Sequence, residues 1–404
     1  MSFLLTKRAQ LCLFYPLIWF LSSNTFANAD WTTWFNQQIE QNPTILAAQE
    51  KLNRRYSLAQ GRGKPLYNPE LETELEREGS DNNFRVGMSQ TVDWWDKQSL
   101  RTAEAEQSRQ LAKQQFILVH QQKTYQALQA LVEWQIIKQQ ADLALTQEIQ
   151  LNRLVELVKQ RQEAGDLSLL DAELTILGLS EKLSATAAIE VALKQAENSV
   201  LEILPAWSPQ SQWNKIPSFF WQSKINPSLN QHPVLMAAKA DWKGLQKSAL
   251  LIQRESKADP TFGVNAGRSG GDNVLALSFS IPLNVRNNFS NEIKAAQQQV
   301  LVAEATYQAL YRKQKFAILA SEKTLMIYQQ RLKRWQNLMQ GRSERFSQLL
   351  EKQWQSGDFS TSEYLLALQQ RTEALNAGIE LQKQTQLAYL NWLYQNGQIE
   401  MGIQ

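Results

Sequence analysis

The most regular chemical pattern in the sequence is a run of acids at every second position from residue 70 to residue 76. Such alternation predicts a β-strand that carries all of its carboxylates on one face. Along a water-filled passage, a row of carboxylates lowers the barrier for cations and raises it for anions. A water-facing strand without any selective role would show the same pattern, so both interpretations stay open. The acids are Glu70, Glu72, Glu74 and Glu76.

A short motif occurs twice, with an offset of 192 residues. Its copies are Gly165-Asp166-Leu167-Ser168 and Gly357-Asp358-Phe359-Ser360. Glycine ends a helix readily in the left-handed conformation, and serine caps the helix that follows. Asp171 and Glu363 come six residues after each glycine, where an acid also suits the dipole of a helix start. The motif therefore predicts two helical hairpin turns, each followed by a carboxylate.

Groups that enzymes and metal sites use are scarce. Cys12 is the only cysteine, and His120 and His232 are the only histidines. These are too few for a thiolate or histidine-rich metal site. The G-x-S-x-G, Walker and H-E-x-x-H motifs are all missing from the sequence. We interpret both histidines as structural, and we predict a protein that is not an enzyme and has no metal site and no cofactor.

The N-terminus has the pattern of a secretory signal peptide. A basic pair, an apolar run over residues 11–21 and the A-x-A signal Ala27-Asn28-Ala29 follow one another. We predict cleavage before Asp30, which makes residues 1–29 the signal peptide. Cleavage removes two bases and no acid from the 42 bases and 39 acids of the whole chain, which leaves a net charge of +1. Such a balance does not favour nucleic acid as a partner.

The composition limits the kind of membrane protein that this chain can be. Of its 404 residues, 43% are hydrophobic and 20% are charged. The chain is therefore too polar overall for a helical membrane bundle, although it is long enough for a sizeable core.

Two repeats, at about residues 42–205 and 232–397, supply the elements that position these side chains. Asn42-Pro43 matches His232-Pro233 and Pro69 matches Pro260, with offsets of 190 and 191 residues. Each repeat is predicted to run helix, strand, turn, strand, very long helix, tight turn and helix. The first long helix begins at about Lys97, since residues 88–164 contain no glycine or proline, and residues 283–340 also lack both. About 66 helical residues would span roughly 100 Å, so this rod must pack sideways on other helices.

Four short segments alternate as strands, at about residues 70–76, 84–92, 262–267 and 275–281. Each has an apolar face and a small or polar face, the pattern of strands with lipid on one side and a lumen on the other. Trp94 and Trp95 end the second strand, where an interfacial aromatic belt or packing beneath the sheet would each account for them. Four strands cannot close a barrel, and open edges are costly in lipid. We therefore expect a trimer with 12 strands and a 12-helix cylinder.

The repeats, the strand pairs and the paired Gly-Asp-x-Ser turns together resemble the TolC-like outer-membrane efflux family. Asn68-Pro69-Glu70-Leu71-Glu72, Ser89-Gln90-Thr91-Val92 and Ile281-Pro282-Leu283-Asn284 are most similar to its heavy-metal branch, the CzcC-type channels. The sequence Trp94-Trp95-Asp96-Lys97-Gln98 departs from that branch, because it lacks the branch's glycine after the second strand.

The resemblance implies a mainly α fold with a small transmembrane β portion. Long helical hairpins would form an α-barrel, and each subunit of a homotrimer would give four strands to a 12-stranded β-barrel. The protein would lie in outer-membrane lipid, extend into the periplasm, and export heavy-metal cations with a periplasmic adaptor (a membrane fusion protein) and an inner-membrane RND pump. Both Gly-Asp-x-Ser turns and Arg161 would contact the adaptor, and Asp171 and Glu363 would be the periplasmic gate.

Three alternatives stay open at this point. The same channel could serve drug efflux or type I protein secretion. A periplasmic coiled-coil adaptor or scaffold is the alternative of another class, although an adaptor would carry one hairpin rather than two. The two turns could also be ordinary hairpin turns, with Asp171 and Glu363 as solvated acids at helix starts.

Overall fold

The computed structural model describes residues 23–79, 81–165, 167–222 and 229–402. Most of the predicted signal peptide lies outside these residues. The elements are, in chain order, α1 (Ser23–Glu40), α2 (Pro43–Arg62), β1 (Glu70–Glu78), β2 (Asp81–Thr91), α3 (Lys97–Glu163), α4 (Leu169–Ile203), α5 (Pro233–Glu255), β3 (Thr261–Ser269), β4 (Asp272–Ser280), α6 (Ser290–Met339), α7 (Arg342–Gln355) and α8 (Thr361–Gln395). Short 3-10 turns lie at Ser218–Gln222, Leu229–Gln231 and Ile399–Gly402.

The predicted order of elements is confirmed in both repeats, with two differences. The second long helix is divided, because α6 ends at Met339 and Gly341 takes a left-handed φ of 66° before α7 begins. Helix α1 has no counterpart in the prediction. Trp31, Phe35 and Ile39 of α1 are all buried, so cleavage before Asp30 would leave its part of the core intact.

The helices lie side by side in a row, and different helices form its two halves. In the half next to the strands, α3 packs between α2 and α5, and α5 packs on α6. In the other half, α3 packs between α4 and α8, and α8 packs on α6. Among the described elements, α2 and α4 therefore lie at one end of the row and α6 lies at the other.

Two hydrophobic clusters stabilise this row. The larger cluster lies at mid-length, where α1, α3, α4, α8 and the chain between α4 and α5 meet, and Trp134 packs edge-on against Trp207. The smaller lies near the hairpin turns and contains Leu151, Leu154 and Val158 of α3 with Trp354 of α7. None of the described helices combines the length and apolarity that crossing a membrane requires.

The strands form one antiparallel sheet in the order β1-β2-β3-β4. Leu71 lies opposite Met88, Met88 opposite Val264, and Val264 opposite Leu277. This register places most apolar residues of the four strands on one face, while Val274 and Ala276 lie on the other. Strands β1 and β4 are the edges of the sheet and do not pair with each other within the chain.

Candidate functional site

The apolar face of the sheet is exposed in the single chain. Leu75 and Leu277 are 87% and 82% exposed. A water-soluble sheet normally covers such a face, whereas strands that face lipid leave it uncovered. The other exposed large apolar residues of this face are Leu71, Phe84, Val86, Met88, Phe262, Val264, Leu275 and Phe279.

The opposite face carries the predicted row of acids, and the register supplies partners that the sequence did not indicate. Ser89 donates a hydrogen bond to Glu72 over 2.6 Å. Arg85 forms an ion pair with Glu74 at 3.2 Å. Glu70 and Glu76 have no ion pair among the described residues. The row is therefore not uniform, because one of its four charges is balanced within the chain.

Glycines keep the polar face free of bulk beside the acids. Gly87 lies opposite Glu72 on one side and Asn265 on the other. A Cβ atom at Gly87 would overlap the Asn265 side chain, and one at Gly267 would overlap the backbone of Phe84. Any larger residue at these two positions would therefore push neighbouring groups away.

A buried ion pair joins the sheet to the first long helix. The ammonium group of Lys97 lies 2.8 Å from the Asp259 carboxylate, and their side chains are only 6% and 2% exposed. Asp259 also accepts a hydrogen bond from the Tyr67 hydroxyl at 2.7 Å. Burial and the bond to Asp259 raise the pKa of Tyr67, so its hydroxyl stays a donor. Sequence reasoning missed this site because 162 residues separate Lys97 from Asp259.

Trp94 and Trp95 lie at the same junction. The Trp95 indole donates to the carbonyl of Ala258 at 2.9 Å, and the Lys257 ammonium lies 4.2 Å from its ring centre. Trp94 is 65% exposed, and its backbone N–H donates to Asp259 at 3.3 Å. Both indoles thus lie at the rim of the sheet, and their predicted interfacial role remains a prediction.

Both hairpin turns have the conformation expected from their motif. Gly165 and Gly357 take left-handed φ angles of 79° and 83°. Ser168 and Ser360 then cap α4 and α8 by accepting the backbone N–H groups of Asp171 and Glu363. Asp166 lies outside the described residues. Leu167 and Phe359 of the two motifs pack on the smaller hydrophobic cluster, and Asp358 is exposed.

The predicted gate acids take part in these caps. Glu363 accepts from the backbone and hydroxyl of Ser360 at 2.9 and 2.8 Å, and these bonds lower the pKa of its carboxyl. Asp171 also accepts a 3.2 Å hydrogen bond from Ser362 of the other hairpin. The acids therefore have a structural role, which neither supports nor excludes their part in a gate.

Arg161 contacts the second hairpin instead of projecting away from the turns. Its guanidinium lies 4.7 Å from the ring centre of Trp354 on α7. The Trp354 ring in turn packs on Tyr364 of α8, with 5.0 Å between ring centres. The sequence singled out Arg161 but gave no sign of this aromatic partner.

Both histidines make contacts within the chain. His232 caps α5 by accepting the Val234 N–H at 3.3 Å, and burial lowers its pKa. His120 contacts Glu400 at 2.6 Å. Within the described residues, no group of three or more His, Cys, Asp or Glu side chains could hold a metal ion.

Comparisons with known proteins agree with this geometry. No protein-family model matches the sequence, and no curated protein matches it at a significant level. CusC, which forms a transmembrane channel, matches 91% of this chain over 91% of its own, with a TM-score of 0.76 and 14% identity. The CmeC outer-membrane channel of Campylobacter jejuni matches 98% of this chain over 94% of its own, with a TM-score of 0.76 and 10% identity.

The MtrE outer-membrane channel of Neisseria gonorrhoeae, in its open state, matches 93% of this chain over 90% of its own, with a TM-score of 0.71 and 12% identity. The chain has the fold of these channels. The predicted fold class is thus confirmed: long helical hairpins with a small four-stranded contribution. A likeness at this identity concerns the fold alone.

Proposed function

We propose that this chain is the channel subunit of a tripartite export system in the bacterial outer membrane. The observation that carries the proposal is the four-stranded sheet, which has an uncovered apolar face, an acidic face and two open edges. In hydrocarbon an unpaired edge costs several kcal/mol per backbone group, so β1 and β4 need partner strands. The apolar face would then contact outer-membrane lipid, and the acidic face would line the lumen.

The ends of the molecule favour a closed ring. Strand β1 and helices α2 and α4 lie at one end, while β4 and α6 lie at the other. A copy that adds its β1 to β4 of its neighbour also brings α2 and α4 beside α6. Such a head-to-tail joint generates a ring when the rotation between successive copies closes. We propose a homotrimer, in which the sheets form a 12-stranded barrel and the helices a periplasmic cylinder.

The partners follow from the far end of the hairpins. The two turns lie together at the end of the helix row, as the bond between Asp171 and Ser362 indicates. We assign this end to a periplasmic adaptor, which would connect the channel to an inner-membrane RND pump. Gly165 and Gly357 set the shape of the contact, and Asp171 and Glu363 would line its mouth. The signal peptide, cleaved before Asp30, would direct the chain out of the cytoplasm.

The acidic face supports cations as the cargo, and we propose that these are heavy-metal cations. It carries Glu70, Glu72, Glu74 and Glu76 against one base, Arg85, so the lumen keeps a negative balance that favours cations. Drug export by the same channel is the second candidate, since bulky cationic compounds would also pass an acidic lining. Resemblance to the CzcC-type branch is what favours metal ions.

The test is a growth panel on cells that lack this gene, with cobalt, zinc, cadmium, nickel, copper and silver beside dyes, detergents and antibiotics. Metal sensitivity that the wild-type gene reverses supports the proposal, whereas sensitivity to dyes and antibiotics alone would make drugs the cargo. Glu70→Gln with Glu76→Gln tests the lumen, and Glu50→Gln with Glu156→Gln is the matched control on exposed helix positions. A protein absent from the outer-membrane fraction would refute the channel itself.

A further inference from the structure

Helix α6 carries a second apolar stripe on the face opposite its contacts with α5 and α8. On the covered face, Tyr307 stacks on Trp242 and Trp335 packs over Gly378. The second stripe is exposed, and its members alternate at spacings of three and four residues, as in a coiled-coil seam. They are Val302, Ala305, Ala309, Phe316, Leu319 and Met326, with Arg312 and Lys323 completing the spacing.

Helix α4, at the other end of the row, has a matching stripe. Leu170, Leu174, Leu177 and Val191 are 69%, 42%, 64% and 58% exposed. The spacing is again three and four residues when Glu181, Ser184 and Ala188 are included, and it continues to Glu202. Each end of the row thus presents an uncovered seam, which is the geometry that a second helix would fill.

The two helices expose opposite charge. Between residues 312 and 334, α6 exposes seven bases and one acid, Glu322. The bases are Arg312, Lys313, Lys315, Lys323, Arg331, Lys333 and Arg334, and none has an ion-pair partner among the described residues. Helix α4 exposes the acids Glu173, Glu181, Glu190 and Glu202. Its one exposed base, Lys194, already pairs with Glu197 at 2.8 Å.

Two of these charges on each helix share one spacing. Glu181 and Glu202 are 21 residues apart, and so are Lys313 and Arg334. Contacts with α8 relate their heights, because Asp171 bonds Ser362, Trp335 bonds the carbonyl of Ala374, and Gln314 bonds that of Gln395. These bonds place Arg334 within one helical turn of Glu181 in height, and Lys313 within one turn of Glu202.

We propose that α6 of one copy packs along α4 of the next, with Arg334 facing Glu181 and Lys313 facing Glu202. A ring whose axis runs along the helices keeps equivalent heights in all copies, so the paired charges of neighbouring copies lie within one helical turn of each other. This inference rests on the proposed ring of copies. It adds the charged residues that determine which helices of neighbouring copies pair. Charges beside a coiled-coil seam set partner and register, so they would oppose the pairing of two like ends.

The test compares the trimer fraction of full-length variants extracted from the outer membrane, by analytical ultracentrifugation in detergent. The first variant combines Lys313→Glu and Arg334→Glu, the second combines Glu181→Lys and Glu202→Lys, and the third carries all four changes. The control, Arg153→Glu with Lys159→Glu, reverses two exposed bases on α3, which lies inside the row. We expect the trimer fraction of each of the first two variants to be about tenfold or more below that of the wild type at low salt, because like charges then face each other. The third variant and the control should match the wild type.

The outcomes separate this inference from the proposed function. Wild-type chains that are not trimeric would refute the ring itself. Wild-type trimers that tolerate both two-residue variants would overturn the charge pairing alone, as would a third variant that stays dissociated. Intact trimers that no longer bind the adaptor would also overturn it, because the basic seam would then serve the adaptor.

Discussion

The buried pair of Lys97 and Asp259 gives the sharpest test of how the sheet is held to the helices. Changing Asp259 to alanine removes the acceptor of three groups: the Lys97 ammonium at 2.8 Å, the Tyr67 hydroxyl at 2.7 Å and the Trp94 N–H at 3.3 Å. Lys97 would then keep only the carbonyl of Lys257, at 2.7 Å. Removing one partner of a buried ion pair typically costs about 3–5 kcal/mol, because the remaining charge is uncompensated.

Removing Lys97 instead of Asp259 should cost less stability. Lys97→Met leaves the Asp259 carboxylate with the Tyr67 hydroxyl and the Trp94 N–H, so we expect a loss near the lower end, about 3 kcal/mol. Lys97→Met with Asp259→Leu leaves no buried charge, and replacing a buried pair by apolar residues is often close to neutral. The double variant should therefore be more stable than either single one.

The assay is guanidinium unfolding of the detergent-solubilised protein, followed by tryptophan fluorescence. Lys97→Met, Asp259→Leu and their combination form the cycle, and Asp259→Ala is measured beside them. Arg62→Met with Glu104→Leu is the matched control, since this half-exposed pair should couple by no more than about 1 kcal/mol. Single variants that lose less than about 1 kcal/mol would refute the reasoning. So would a double variant as unstable as Asp259→Ala.

Three further outcomes follow from the helices. Gly378→Ala should destabilise by about 1–3 kcal/mol in the same assay, because its Cβ would overlap the Trp335 ring, whereas Gly178→Ala, with open space around it, should be neutral or stabilising. Arg161→Ala should raise hydrogen exchange in α7 about two- to fivefold through loss of the Trp354 contact, worth about 0.5–1 kcal/mol, and unchanged exchange would contradict this. His232, whose pKa is lowered by burial, stabilises the start of α5 while neutral; this contribution is lost as the pH falls below the ordinary histidine pKa of about 6.5. After correction for the intrinsic pH dependence, hydrogen exchange at the Val234 N–H should therefore become faster between about pH 7 and pH 5.5 in the wild type. It should not do so in His232→Asn, which copies the Asn42 cap of the first repeat.

The helices show what the sequence could and could not predict. Helix α3 begins at Lys97 as expected, because no glycine or proline interrupts the helix formers after it. The break in the second long helix was not predictable from glycine alone. Gly178, Gly244 and Gly378 all remain helical, while Gly341 takes a left-handed φ. Glycine permits either state at a cost of about 1 kcal/mol in a helix, so tertiary packing decides.

The candidate site was predictable on single elements and not between them. Alternation placed the four glutamates on one face, and the turn motif placed Gly165 and Gly357 at helix ends. Their partners depend on register and packing: Arg85 reaches Glu74 through strand pairing, and Trp354 reaches Arg161 through the contact of two hairpins. Such pairs lie far apart in sequence, and neither residue alone carries a signal of the other.

The pairing across the sheet also changes what the acidic row could do in the proposed trimer. Each glutamate would recur three times at one depth and form a ring of charge. Arg85 balances the ring at Glu74, and Ser89 holds the Glu72 carboxylate by a short hydrogen bond. Among the described residues, Glu70 and Glu76 are then the two glutamates of the row that have neither an ion pair nor a side-chain hydrogen bond. If the lumen selects cations, Glu70→Gln with Glu76→Gln should reduce the selectivity of the channel for cations in planar bilayers. Glu74→Gln should change it less, because it removes one negative charge per chain instead of two.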